Sequence, residues 1–380
     1  MCPRRIAEKR LTRPLAGGTA VDEAVTRRQF VAAAAAGAVA ATLPQAAQAA
    51  AADPAKILNH NPDMEYRRLG KTGLMISAVV LGGHWKRLVK IIGGDEPKGW
   101  MSTDIGREAF QKNRADVVTR CIEKGINYVD ACCGEEILAY SRALKGRRDR
   151  MYFGFSWHVR ESRFPEWRSA KRLQEGLDLG LKEAGLDYCD LWRISLLVDS
   201  GKHTQGEIEE AVAALDWAKQ TGRARFTGFS SHDRPHLKHL VETYPKQVEV
   251  ILTPYTAKTK VVKDESGLWA AVRKHDVGWF GIKPFASNSV FQGDSSPESP
   301  SFEEDNRIAR LTIRRILRNP AITAPMPGLI TTQQVDNVCA AVRERRELDL
   351  KEQAELDRAM ERAWASLPAD YQWLKDWERV

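Results

Sequence analysis

The sequence predicts an α/β fold, a (β/α)₈ TIM barrel with an N-terminal β-hairpin and a C-terminal helical tail. Three observations carry that expectation. Eight short apolar runs alternate strictly with eight amphipathic stretches, the rhythm of parallel strands joined by crossover helices, and eight is the number that closes a barrel. Gly125, Gly185, Gly222 and the His275-Asp276-Val277-Gly278 turn stand where those stretches end, as helix C-caps do. With 43% hydrophobic and 28% charged residues in a chain of 380, there is ample apolar surface to bury, so the composition is globular and not disordered.

Residues 1–49 form a separate segment. Thr26-Arg27-Arg28-Gln29-Phe30-Val31 leads into a small-residue apolar run to Leu43, and Ala47-Gln48-Ala49 follows. A basic front, a short apolar stretch and a small-residue cleavage site make a secretory signal, and the arginine pair makes it the twin-arginine type. The apolar run is too short and too weakly hydrophobic to span a bilayer of about 30 Å comfortably. We therefore expect a protein exported folded to an extracytoplasmic or periplasmic location through the twin-arginine translocase, which reads Arg27 and Arg28, with no stable membrane anchor. A linker is expected over 50–64, the barrel over 65–345, and a helix and tail across the barrel over 346–380.

Within the barrel region, Tyr66–Gly70 and Leu74–Ile76, split by Lys71-Thr72-Gly73, read as the hairpin. The eight strands are expected at Val79–Leu81, Tyr128–Asp130, Met151–Phe155, Cys189–Ile194, Arg225–Phe229, Val248–Leu252, Val277–Ile282 and Ile322–Met326. Helices are expected at Asp116–Lys124, Glu135–Leu144, Leu173–Ala184, Ile208–Thr221, Leu237–Tyr244, Leu268–Lys274, Ile308–Arg318 and Gln334–Val342. In the fourth of these, Ile208, Ala211, Val212, Leu215 and Ala218 recur three and four apart on one face. Residues 85–111 and 286–302 break the rhythm as long loops. Both follow strand C-termini, the end at which barrel enzymes keep their sites.

The net charge of +8 is not a nucleic-acid signature. Residues 1–49 hold seven basic residues against three acidic ones, +4 of the total. No dense basic stripe with interleaved aromatics is present, so no nucleic-acid partner is expected. Five of the six cysteines lie outside the signal (Cys121, Cys132, Cys133, Cys189, Cys339) without C-x-x-C spacing, which offers no zinc or iron–sulfur pattern. Cys121, Cys189 and Cys339 fall in apolar patterns and are expected to be buried.

Tyr66-Arg67-Arg68-Leu69-Gly70-Lys71-Thr72-Gly73-Leu74 with Leu81-Gly82-Gly83, then Gly125-Ile126-Asn127-Tyr128-Val129-Asp130, Asp187-Tyr188-Cys189-Asp190-Leu191, Gly228-Phe229-Ser230-Ser231-His232, Lys283-Pro284-Phe285 and Pro327-Gly328 follow one another in order. That ordered set, from about residue 65 to 345, resembles the aldo-keto reductases. The resemblance implies a nicotinamide cofactor, NADP or NAD, and an Asp, Tyr, Lys and His around it. The Tyr is the general acid to the carbonyl oxygen, a Lys–Asp pair lowers its pKa, and the His orients substrate. Asp130 matches the Asp. The Tyr loop is shortened to Ala131-Cys132-Cys133-Gly134, Ser156 stands at the Lys position and Ser195 at the His position. For the cofactor, the resemblance assigns Ser230 and Ser231 to the carboxamide, and Lys283 and Gly328 to the binding cleft. Leu252 replaces a Gln and Ile282 a stacking aromatic. Leu329–Asn337 carries no cation for an adenosine phosphate.

Period-two alternation puts Leu191, Arg193 and Ser195 on one side of their strand. An inward Arg193 needs a carboxylate, and Asp130 is the expected partner. His158, two residues past Ser156, is the first candidate for proton transfer, His84 the second and His232 the third. The candidate catalytic set is thus Asp130, His158, Arg193 and His84. No metal is assigned, because the ligand-type residues come from separate loops. Cys132-Cys133 reads either as small loop filler or as a redox-active pair or thiolate. Several of the eleven Trp, and Tyr371–Trp377 in the tail, suit an aromatic wall for a ring-shaped small-molecule substrate. Three functions stay open: an exported oxidoreductase acting on a carbonyl or sugar-like substrate with tightly held NAD(P)(H); a lyase or isomerase on sugar-like substrates; and a non-catalytic binding barrel.

Overall fold

A computed structural model describes residues 53–95, 104–259 and 267–375. The signal segment 1–49, with Arg27 and Arg28, lies outside the described residues. The chain divides into two units, Met1–Leu43 and Pro44–Val380, and every described residue belongs to the second.

Strands β1 (Tyr66–Arg68) and β2 (Met75–Ser77) pair antiparallel as the hairpin. Its turn reaches the barrel floor. A Cβ on Gly70 (φ +49°) would come within 2.3 Å of the Gly278 nitrogen, so only glycine allows this approach. Leu69, Leu74 and Ile76 are buried with the residues that fill the barrel's lower interior.

Seven parallel strands follow, β3 (Tyr128–Ala131), β4 (Tyr152–Phe155), β5 (Cys189–Ser195), β6 (Ala224–Ser230), β7 (Val250–Pro254), β8 (Gly278–Ile282) and β9 (Ala324–Met326), paired in sequence order. The expected first strand, Val79–Leu81, does not form a ladder. It closes the ring by single parallel bridges instead, Leu81 to Val129 and Gly82 to Gly328. Leu81 N–H donates to Tyr128 O at 3.1 Å and Gly82 N–H to Pro327 O at 2.8 Å. The ladder stops there because Gly83 leads into His84 at φ +60°, a backbone that cannot continue a strand.

The helices are α1 (Val89–Ile92), α2 (Glu108–Glu123), α3 (Gly134–Ala143), α4 (Ala170–Ala184), α5 (Gln205–Gln220), α6 (Arg234–Thr243), α7 (Leu268–Lys274), α8 (Phe302–Leu317), α9 (Thr332–Arg343) and α10 (Leu350–Ala365). The expected loop 85–111 is therefore corrected: it holds the single turn α1, and α2 starts at Glu108 in place of Asp116. Phe110 and Arg114 are buried on the core face of α2. A buried arginine, donating to Leu329 O at 2.9 Å, breaks an apolar pattern while obeying the helical one. Gly185 ends α4 in the left-handed conformation, and Thr204 and Asp349 start α5 and α10 with capping boxes. Among the described residues no helix is long and apolar enough to cross a membrane.

Along several strands the inward residues change from apolar at the floor to polar at the mouth. Tyr128 gives way to Asp130, Leu191 to Arg193 and Ser195, and Phe226 to Ser230. The floor is packing; the mouth is chemistry.

Candidate active site

The strand C-termini open into a cavity of about 320 Å³. Asp130 and Arg193 form its base, both almost fully buried. Arg193 Nε donates to Asp130 Oδ1 at 3.3 Å, its Nη2 donates to Asp130 Oδ2, and Tyr128 Oη donates to Oδ1 at 3.2 Å. Burial pushes the Asp130 carboxyl up while Arg193 pulls it down, and the guanidinium is held charged by the carboxylate. Gly154 on β4 makes room for this group: a Cβ there would lie 2.1 Å from Tyr128 Oη and 2.3 Å from Asp130 Oδ1.

Ser156 and Ser195 do not face an empty space. Their hydroxyls meet at 2.9 Å, and the buried Glu161 carboxylate fills the region behind them. Glu161 accepts from Ser156 Oγ (2.5 Å), Trp157 N (3.0 Å), Ser195 N (2.7 Å) and Trp192 Nε1 (3.1 Å). Four donors satisfy a carboxylate that burial alone would push toward neutrality.

On the opposite side stands a second buried carboxylate, Glu136, from the first turn of α3. It accepts from His84 N (2.5 Å), His84 Nδ1 (2.8 Å) and Cys132 N (2.7 Å). Gly83 permits this, since a Cβ there would lie 1.9 Å from Glu136 Oε1. Burial disfavours the His84 imidazolium, but the negative charges of Cys132 and Glu136 outweigh it and raise the His84 pKa to about 9. The ligand-type atoms of His84, Cys132 and Glu136 lie within 4.8 Å of one another. Both Glu136 oxygens already accept N–H donors, so the trio is built as a hydrogen-bonded set.

The two leading histidine candidates both line the cavity and differ in their partners. His158 Nδ1 donates to Cys132 O at 2.8 Å, and burial, with help from Arg163 and His84, lowers its pKa. His84, not His158, is the imidazole that presents a charged, carboxylate-held ring to the cavity. His232 stacks on Trp373 at 4.2 Å, and burial holds its pKa well below the ordinary value.

Of the four residues assigned to the cofactor, Ser230, Lys283 and Gly328 line the cavity and Ser231 does not. Ser231 Oγ is committed to Leu197 O (3.2 Å) and Ser200 Oγ (2.8 Å). Ser230 is the last inward residue of β6, and the next one along must point away. Lys283 makes no ion pair among the described residues, and burial lowers its pKa to about 8. Its backbone is left-handed at φ +59°, the kind of strain that clusters at functional sites. The tail contributes Asp370, Tyr371 and Trp373 to the cavity wall.

A second, smaller cavity shares Lys86, Phe285, Asn288 and Gly328 with the first. Its remaining wall is mostly aromatic and neutral polar, with Asp305 as its acid and Lys86 as its cation. Two adjoining cavities, the larger with the Lys283 ammonium at its wall over the Tyr371 and Trp373 rings, offer space and a cation for a dinucleotide. Leu252 and Ile282 fit the nicotinamide end less well, since neither donates a hydrogen bond.

Missed from the sequence were Glu136 and Glu161. Each is an ordinary acid in an ordinary helix start or loop, and only a distant backbone reveals its role.

A parallel barrel with a charged, partly enclosed mouth at its strand C-termini is an architecture shared by many enzymes. The comparisons narrow this. A family model described as the aldo/keto reductase family matches residues 98–308, more than half of the chain, and the protein belongs to that family. It is similar to L-glyceraldehyde 3-phosphate reductase of Escherichia coli (strain K12), 24% identical over 267 residues that cover 66% of this chain and 70% of that protein. It is also similar to L-galactose dehydrogenase of Arabidopsis thaliana, 25% identical over 326 residues, 76% and 92% of the two chains. In fold it resembles the holo form of aldo-keto reductase AKR11C1 from Bacillus halodurans, with a TM-score of 0.54 and 19% identity, covering 81% of this chain and 99% of that one.

Proposed function

We propose that the protein is an exported oxidoreductase that interconverts a carbonyl and an alcohol on a small sugar-like substrate, with a tightly held nicotinamide dinucleotide. The observation that carries the reading is His84, an imidazole gripped by buried Glu136 at the edge of the cavity. The nicotinamide, when bound, supplies or accepts the hydride. Lys283 and Ser230, which line the cavity, would hold it, the lysine supplying positive charge. His84 gives a proton to the carbonyl oxygen in the reducing direction and takes one from the hydroxyl in the other. The Arg193–Asp130 pair keeps the base of the cavity polar, and Tyr371 and Trp373 offer ring faces to a sugar. The names of the two curated relatives, a reductase of a sugar phosphate and a dehydrogenase of a sugar, support the substrate class.

NAD suits the second cavity better than NADP. Lys86 already donates to Ser287 Oγ at 2.6 Å, and an adenosine phosphate there would also face Asp305. Export through the twin-arginine translocase, read from Arg27 and Arg28, fits a cofactor loaded in the cytoplasm before transport. Leu252 and Ile282 favour a second reading, a lyase or isomerase on the same scaffold.

Protein recovered after export and then denatured should release about one NAD(H) per chain, identified by mass. A barrel that releases none and binds no added dinucleotide overturns the oxidoreductase reading. Arg27→Lys with Arg28→Lys should hold the protein in the cytoplasm, and unchanged export would remove the localisation.

A further inference from the structure

Cys132 lines the cavity, and the function proposed above gives it no role. Its sulfur stands 3.7 Å from both ring nitrogens of His84. Because the two distances are equal, His84 acts on the sulfur through the charge of its ring more than through one directed hydrogen bond. Glu136 grips both residues, through His84 Nδ1 and through the Cys132 backbone N–H. The arrangement is held under strain. His84 has φ +60°, uncommon for any residue but glycine, and its own N–H is tied to Glu136.

The electrostatics agree with the geometry. A hydrogen bond from the Cys133 thiol, then the charges of His84 and Arg193, hold Cys132 well below the usual thiol range against the effect of burial. Cys133 is buried at the start of α3 and is pushed the other way, remaining a thiol. Geometry and charge therefore favour a thiolate on Cys132 beside an imidazolium on His84, the paired state that makes a cysteine nucleophilic.

We propose that Cys132 is a covalent nucleophile toward carbonyl substrates, with His84 as its acid and Glu136 as the positioning residue. The sulfur lone pair forms a bond to the carbonyl carbon. The π pair of the C=O bond moves onto oxygen, which takes the His84 proton. The product is a thiohemiacetal on Cys132 beside a neutral imidazole. No electrons leave or enter the pair of reactants, and the reverse step regenerates both. The step shares the carbonyl substrate class with the reading above but needs no nicotinamide, so nicotinamide content and thiol reactivity can fail separately.

The test is the pH dependence of alkylation of the full chain by iodoacetamide, mapped by peptide mass spectrometry. Cys132 should react with a midpoint at least about one unit below the ~8.5 of a free thiol, while Cys133 stays unmodified. Glycolaldehyde labelled at its carbonyl carbon should give a protein-bound thiohemiacetal carbon NMR signal, distinct from that of the free hydrate, that Cys132→Ser abolishes. Glu136→Gln should raise the alkylation midpoint and slow the reaction several-fold near neutral pH; His84→Gln should do the same and serves if Glu136→Gln does not fold. A Cys132 that alkylates like a free thiol overturns the proposal. So does a midpoint unmoved in these variants, an adduct that survives Cys132→Ser, or stoichiometric zinc bound in place of a reactive thiol.

Discussion

Two buried carboxylates flank the cavity, and they do opposite work. Glu136 is 1% exposed and Glu161 2%, and each has its oxygens satisfied by donors. The partners differ. Glu161 is ringed by one hydroxyl, an indole and two backbone N–H groups, none of which changes charge in the working pH range. Glu136 holds an imidazole that reaches the cavity. Burial and satisfaction alone therefore do not mark a functional acid. What marks it is a titratable partner that also faces the ligand space. One side of the mouth is a seal, and on the function proposed above the other is a proton relay.

The largest effect should come from the pair that separates the two sides. Arg193→Leu leaves Asp130 buried without a counter-charge and should cost about 3–5 kcal/mol in urea unfolding. Adding Asp130→Asn to that variant should recover a good part of the loss. A single Arg193→Leu variant as stable as the parent would mean the pair holds nothing together.

Next comes the seal. Glu161→Gln removes charge-assisted hydrogen bonds and should cost about 1.5–3 kcal/mol, while the His84 titration seen by NMR stays in place. A moved His84 titration would show that the two sides communicate and would break the comparison.

The relay should respond through pH more than through stability. The folded pKa of His84 is raised to about 9 from 6.5. Its contribution is therefore full below about pH 6.5 and is lost as pH rises through about 9. Glu136→Gln should bring the His84 midpoint back toward 6.5 and flatten the fall in stability over that window, at a cost of about 1–2 kcal/mol at neutral pH. A midpoint that stays near 9 in the variant would assign the shift to Cys132 alone.

The smallest effect is expected at the tail. Trp373 covers His232 and is part-exposed, so Trp373→Ala should change stability by under about 1 kcal/mol. It should weaken ligand binding, read by titration calorimetry, on both sides of the mouth equally. A loss confined to one ligand class would give the tail a role in specificity.

Much of this was legible in the sequence because periodicity is local. The alternation of apolar runs and amphipathic stretches placed all seven ladder strands, and period two on β5 put Arg193 on the Asp130 side. The first barrel strand was legible as an apolar run but not as a pair of bridges, since the halt comes from the left-handed backbone at His84. The start of α2 was hidden by buried Arg114, which counts as polar in any pattern. The relay itself was not legible. Glu136 looks like the usual acid in a first helical turn, and its function depends on Gly83 arriving from fifty residues away. The partners of His158 and His84 were hidden for the same reason: the sequence does not say which imidazole meets a carboxylate and which a carbonyl. That Ser231 faces away from the cavity follows from a rule the sequence did offer, since its neighbour Ser230 already occupies the inward position.

The short connection between β3 and α3 has an evolutionary consequence. Only Cys132 and Cys133 separate Ala131, the last residue of β3, from Gly134, the first of α3, and a Cβ on Gly134 would lie 2.3 Å from the Trp157 ring. Cys132 already lines the cavity, so a single substitution there changes the side chain that meets a ligand, while Gly134 is held to glycine by the ring behind it.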